Sequence, residues 1–326
     1  MLPFRKRREV NLSGQSVLVM GGSKGLGFLI AREFGRLGAQ VTITARDASE
    51  LAWAAGELRN DAIAVETAVC DVREREMTKQ LVEDVERQRG GIDFLINNAG
   101  VIQVGPLAAQ TLEDFDHAVD TMFWGVVVPS LAALPGMKAR RSGRIVNITS
   151  IGGKVSVPHL LPYNAAKFGA VGFSEGLRAE LTGSGVGVVT VVPGLMRTGS
   201  FVNAEYKGNQ QLEFGLFTPL SSIPGVALNA EDAARRIVRA ALNNEAEVIL
   251  SMLANGAVRV HGIAPGITTQ VMGLTARMLP HGEGPTDAVT GSKLLPSMGR
   301  VPRTISTLGT KALQRFQPPS VRGKAA

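Results

Sequence analysis

Tyr163 and Lys167 are the residues of this chain whose types and spacing most directly carry chemistry, and Ser150 lies a short way upstream. Residues at i and i+4 share a helix face, so the lysine ammonium is placed beside the tyrosine phenol. A phenol near its ordinary pKa of about 10 is a poor base at neutral pH, and adjacent positive charge lowers that value. The pair is then a usable general acid/base, and Ser150 can hydrogen-bond the oxygen of a reacting carbonyl or alcohol. The plain alternative is an ordinary helix with an exposed lysine and a buried tyrosine.

A second cluster sits near the start. The run MGGSKGLG at 20–27 follows a β-branched stretch and opens a helical one, the context in which glycine spacing is informative. Gly21 can form the tight turn, Gly25 lets backbone approach a pyrophosphate, and Gly27 lets helix and sheet pack closely. Proteins of this kind that prefer NAD place an acid at the end of the second strand. Here that strand ends Ala45-Arg46, a guanidinium where it could pair with a 2′-phosphate, and Lys24 adds a second charge nearby. The expected cofactor is NADP(H).

These residues need elements to hold them. Short apolar runs at 16–20, 41–45, 62–69, 94–98, 144–149, 187–192 and 247–250 read as strands, separated by stretches of helical periodicity. Strands this continuously apolar are covered on both faces, and right-handed crossovers then give an α/β fold: a Rossmann-type doubly wound, seven-stranded parallel sheet with helices on both faces. The glycine turn and Ser150 both fall just beyond strand ends, where open α/β sheets bind ligands.

Taken together, these motifs resemble those of the short-chain dehydrogenase/reductases over about residues 13 to 250. The resemblance implies that Ser150, Tyr163 and Lys167 are catalytic and that Gly21, Gly25 and Gly27 hold the pyrophosphate, with Ser23, Lys24 and Leu26 of the same turn also binding the cofactor. Arg46 falls at the 2′-phosphate, and Asp71 and Val72 flank the adenine. The run NNAG, Asn97 to Gly100, is similar to the family's central-strand motif, so Asn98, Ala99 and Gly100 line the cofactor along with Tyr163 and Lys167. Pro193-Gly194, followed by Thr198, resembles the turn that contacts the nicotinamide carboxamide. Met20 departs from a common Thr. Met122 stands where the family carries an Asn that helps relay protons, and a thioether cannot replace an amide in a water chain. The implied activity is hydride transfer between NADP(H) and a carbonyl/alcohol pair, chiefly as ketone or aldehyde reduction, in a homo-oligomer. A binding protein without turnover, a sensor or scaffold, is the alternative that Met122 raises.

Composition bounds the remaining readings. With 44% hydrophobic residues the 326-residue chain can bury a sizeable core, and the single cysteine, Cys70, forms no intramolecular disulfide and reads as a buried thiol. His117, His159, His261 and His281 show no metal-ligand spacing, and no metal is expected. His159, four residues before Tyr163, reads as a loop histidine, while Phe123 and Trp124 read as a helix-packing pair. Of the net +7, residues 1–10 carry +3 and residues 281–326 carry +5, so the body is close to neutral. Nucleic-acid binding is therefore not expected, and weak peripheral contact with an anionic membrane is the role the basic ends could play. Residues 257–279 are apolar but broken by Arg259, His261, Pro265, Gly266 and Arg277, which argues against a spanning helix. No export signal is read, and a cytoplasmic enzyme is expected. The chain divides into a basic leader (1–12), a catalytic domain (13–255), an apolar extension near the substrate site (256–280) and a flexible basic tail (281–326). Residues 195–228 carry few charges beyond Arg197, Glu205, Lys207 and Glu213, which suggests a lipophilic small-molecule substrate.

Overall fold

Seven β-branched runs assemble into one parallel sheet. The computed structural model describes residues 10–223, 226–281, 284–295 and 303–322, with side chains described for 308–321 in the last segment. Its strands are β1 (Ser16–Met20), β2 (Gln40–Ala45), β3 (Val65–Val69), β4 (Phe94–Asn97), β5 (Gly143–Ile148), β6 (Val186–Val192) and β7 (Glu247–Ile249). Their order is β3-β2-β1-β4-β5-β6-β7. The third strand starts three residues later than its apolar run suggests, because Ala62, with φ +59°, and Ile63 close the preceding helix.

The helices are α1 (Gly25–Arg36), α2 (Ala48–Asn60), α3 (Arg75–Arg89), α4 (Leu112–Val119), α5 (Gly125–Ala139), α6 (Leu161–Glu180), α7 (Gln210–Leu220), α8 (Ala230–Leu242), α9 (Met252–Ile263), α10 (Pro265–Ala276), α11 (Gly291–Leu294), α12 (Arg303–Phe316) and α13 (Pro319–Arg322). One face of the sheet is covered by α1, α2 and α8, the other by α3, α5 and α6. That double cover is why β1 and β6 are buried along their whole length. Leu112–Ala139 is long and apolar enough to cross a membrane, yet it packs on α3, α6 and β4.

Register decides where the site falls. Met20 pairs with Asn97, Asn97 with Asn147 and Asn147 with Thr190, so the carboxyl ends of β1, β4, β5 and β6 are level. The sheet reverses direction of growth between β1 and β4, which opens a crevice at that edge.

The tail differs from expectation. Val289–Thr290 pairs with Glu205–Tyr206, which in turn pairs with Gln103–Val104, forming a small second sheet. Ala312, Leu313 and Phe316 of α12 are buried, and Arg315 pairs with Glu231 of α8 at 2.8 Å. The tail is thus ordered where it is described: a four-residue apolar spacing on α12, hidden among basic and Pro-, Gly- and Ser-rich neighbours, finds a partner face. Most of the basic leader, residues 1–9, lies outside the described residues. The apolar extension forms α9 and α10, two successive helices joined at Ala264 that start beside the turn at Gly194 and are otherwise little buried.

Candidate active site

At the end of β1, Gly21 takes φ +78°, and a side chain there would meet the Ala99 backbone at 2.8 Å. A side chain on Gly27 would lie 2.0 Å from the Gly21 carbonyl oxygen, so this turn admits only glycine at both places. Asn98 fastens it, its Nδ2 donating to that same oxygen at 2.8 Å. The first turn of α1 has no acidic residue, and its N-cap, Lys24, makes no side-chain capping bond. Unsatisfied N–H groups at the positive end of a helix fit the pyrophosphate of a dinucleotide.

Charge at the adenosine end is arranged differently from the sequence expectation. Lys24 Nζ lies 2.5 Å from Glu50 Oε1, and Ser23 Oγ donates to Glu50 Oε2 at 3.2 Å. Glu50, buried in the first turn of α2, was not legible as a site residue, since nothing in its spacing marks it. Lys24 is therefore already neutralised, which leaves exposed Arg46 as the cation at the end of β2. Asp71 is half-buried under Arg73, whose Nη2 lies 2.6 Å from its carboxylate. Burial opposes ionisation of Asp71, but hydrogen bonds from the Arg73 side chain and backbone hold its carboxyl below the usual range. Val72 packs into the core, against Gly125.

Ser150 follows β5, its Oγ accepting from Gly152 N at 3.0 Å, while Ile151 N donates to the Pro193 carbonyl at 2.8 Å. Two strand-end loops are thereby joined. Tyr163 and Lys167 lie on one face of α6, with Lys167 Nζ 5.9 Å from the phenol ring centre. Lys167 is only 5% exposed and donates to the Ile148 carbonyl at 2.8 Å. Burial lowers its amine to about 8. Burial also raises the Tyr163 phenol, against which the Ser150 hydroxyl pulls. The spacing thus predicted the approach of the two side chains but not its electrostatic result, which desolvation of both groups dominates.

Beneath the phenol, Met122 is fully buried with Ala118 and Ala166 in a patch on which Tyr163 packs. It lies in a π-helical turn, Asp120–Trp124, between α4 and α5. A polar chain runs instead through the sheet: Asn97 Nδ2 donates to Asn147 Oδ1 at 2.8 Å and to Ser130 Oγ at 2.9 Å, and Asn147 Nδ2 donates to Ser174 Oγ at 3.0 Å. Met20 accepts a weak bond from Thr44 Oγ1 at 3.6 Å. Phe123 lies against Gly169 of α6 and Trp124 under Arg75, the packing role expected of them. Cys70 is buried.

Most of the charges noted within residues 195–228 are satisfied internally. Lys207 pairs with Asp114 at 2.6 Å, Glu213 of α7 with His159 at 2.7 Å, and Arg197 donates to the Ala227 carbonyl. His159 is therefore a tether between α7 and the loop ahead of Tyr163. Gln317, just past α12, is a residue that the sequence reading missed. Its Nε2 donates to the Thr198 carbonyl at 2.9 Å and lies 3.6 Å from where a side chain on Gly25 would begin. Its Oε1 accepts from Asn203 at 3.0 Å. The tail thus reaches the glycine turn.

Comparison with known proteins gives this arrangement a context. The profile of the short chain dehydrogenase family matches residues 15–208. The ketoacyl reductase HetN of Nostoc is 33% identical over 244 residues, 74% of this chain and 79% of its own length. A dehydrogenase/reductase SDR family protein 7-like of Anopheles gambiae is 29% identical over 84% of this chain and 87% of its own. Among solved structures, a metagenomic short-chain oxidoreductase in complex with NADP superposes with a TM-score of 0.61, at 28% identity, over 74% of this chain and 97% of its own.

Proposed function

Because this chain belongs to the short-chain dehydrogenases, an oxidoreductase family, we propose that it reduces a lipophilic ketone or aldehyde with NADPH, Tyr163 acting as the acid. The observation that carries this is the convergence of Tyr163, Lys167 and Ser150 at the same level sheet edge as the glycine turn. The cofactor, when bound, supplies a hydride to the carbonyl carbon. Ser150 orients the carbonyl oxygen, and the Tyr163 phenol donates its proton to that oxygen, giving the alcohol. Lys167, once protonated, stabilises the phenolate left behind, and the anionic phosphates of a dinucleotide favour that protonated form. Pro193, Gly194 and Thr198 hold the nicotinamide end, and Asn98, Ala99 and Gly100 the wall opposite.

The preference for NADPH rests on Arg46 and on the absence of an acid at the end of β2; the structural neighbour bound to NADP supports it. The lipophilic substrate rests on the internal pairing of Lys207, Glu213 and Arg197, which leaves few charges to recognise an anion. The second reading, cofactor binding without turnover, is favoured by Met122, which fills the relay position with a thioether. Following NADPH and NADH absorbance against a panel of apolar and charged ketones decides among these. The expected result is NADPH-dependent turnover confined to the apolar members. Better use of NADH would reject the cofactor assignment, and binding of NADPH without oxidation by any ketone would favour the second reading.

A further inference from the structure

We propose that the α9–α10 helix pair is a docking element for an anionic phospholipid bilayer, entering one leaflet by its junction, Ile263–Ile267. Met252, Ile263 and Met278 are 94%, 87% and 85% exposed, and Leu253, Val260, Ile267, Val271 and Leu274 are exposed with them. Along α10 Ile267, Val271 and Leu274 recur at helical spacing, so these side chains form one stripe, and Met278 follows just past the helix end. None of the α10 residues is buried, and in α9 only Ala254 is. A contiguous apolar surface of this kind marks an interaction site.

Two observations select lipid over a protein partner. The threonines of α10 turn back on the backbone: Thr268 and Thr269 Oγ1 each donate to the Pro265 carbonyl at 2.9 Å, and Thr275 Oγ1 donates to the Val271 carbonyl at 3.0 Å. Hydroxyls bonded in this way can enter hydrocarbon without an unsatisfied donor. From residue 248 to 282 there is also no Asp or Glu, while Arg259 and Arg277 are exposed beside the apolar stripe. That is the charge pattern of an interfacial helix facing anionic headgroups. Each helix of 12 residues is roughly 18 Å long, too short to span about 30 Å of hydrocarbon, so neither helix crosses the bilayer and the pair is assigned to one leaflet. Its base, at Ser251, touches the Gly194 turn, which brings the substrate mouth to the bilayer. Entry of substrate from the bilayer rests on the lipophilic reading above; docking itself does not.

Flotation of the full-length protein with phosphatidylcholine vesicles, with and without phosphatidylglycerol, tests this. Wild type should float with the anionic vesicles. Ile263→Asp with Ile267→Asp should lower the bound fraction tenfold or more, and Arg259→Gln with Arg277→Gln should abolish the preference for phosphatidylglycerol. Both variants should reduce a water-soluble ketone as wild type does. Failure of wild type to float, or undiminished flotation of the aspartate variant, overturns the proposal. So does conversion of a dimer to a monomer by the aspartate pair with no vesicle binding, which would make this face a contact between two copies. Flotation without turnover of any ketone would keep the docking surface and reject only the enzymatic reading.

Discussion

Lys167 is subject to two opposed effects, since its burial favours the neutral amine and its proposed role needs the cation. The sign of the resulting pH effect follows from its position at about 8, below the 10.5 of a free lysine. Between those values the unfolded chain binds the extra proton, so stability rises with pH across the window, and the full penalty, about 3 kcal/mol, is present below it. Denaturant unfolding of the cofactor-free protein should show wild type gaining on Lys167→Met between pH 8 and 10. A constant difference would show that the amine is not desolvated. A second residue-level prediction concerns cofactor choice. Arg46→Asp should weaken NADPH binding by about 10- to 100-fold, the loss of one charge-assisted contact, while Glu50→Gln, by releasing Lys24, should strengthen it. Titration calorimetry of the two variants checks both directions, and unchanged affinity in both would place the 2′-phosphate elsewhere. Arg46 could be found in the sequence because strand end and residue type coincide there. Glu50 and Gln317 could not, because each acts on a residue 26 or more positions away through packing that no local pattern records.

Among the elements, the seven strands were legible and the last helices were not. A β-branched run buried on both faces announces itself by composition, and six of the seven strands begin and end within one residue of their apolar runs. In α12 the buried Ala312, Leu313 and Phe316 stand among Lys311, Gln314 and Arg315, so the apolar signal is thin, and its partners on α1 and α8 are more than 60 residues away. The charge of this segment suggested a solvated tail, yet Arg315 is paired with Glu231, which Arg32 also meets at 2.8 Å. This closure gives α12 a measurable role. Deleting residues 303–326 should remove the Gln317 contacts with Thr198 and Asn203, raise the dissociation constant for NADPH tenfold or more, and lower the melting temperature. Gln317→Ala, which leaves the helix in place, should reproduce part of the loss in affinity with little change in melting. Unaltered NADPH affinity in both proteins would show that the tail only covers apolar surface. The π-helical turn at Asp120–Trp124 was not legible either, since one extra residue in a helix leaves no mark in apolar spacing.

For the whole molecule, the level strand ends are what bring distant segments together: residues 20–27, 97–100, 149–167 and 193–198 meet at one edge only because β1, β4, β5 and β6 are in register. That juxtaposition could be expected from the sequence once the fold class was known, as could the near-neutral body between basic ends. The second, smaller core around Tyr206, Phe214 and Leu313 could not, because its buried residues come from four segments that are separate in the chain, at Val104, Phe201–Phe214, Leu294 and Leu313. The His159–Glu213 tether joins it to the loop ahead of Tyr163. The central claim is that the Tyr163 hydroxyl supplies the proton at this edge, and Tyr163→Phe removes that oxygen while keeping the ring packed on Met122. Single-turnover oxidation of NADPH by an apolar ketone should slow by at least 10² in this variant, the usual scale of a positioned general acid, with NADPH affinity held within about twofold. Equal rates in variant and wild type would contradict the account.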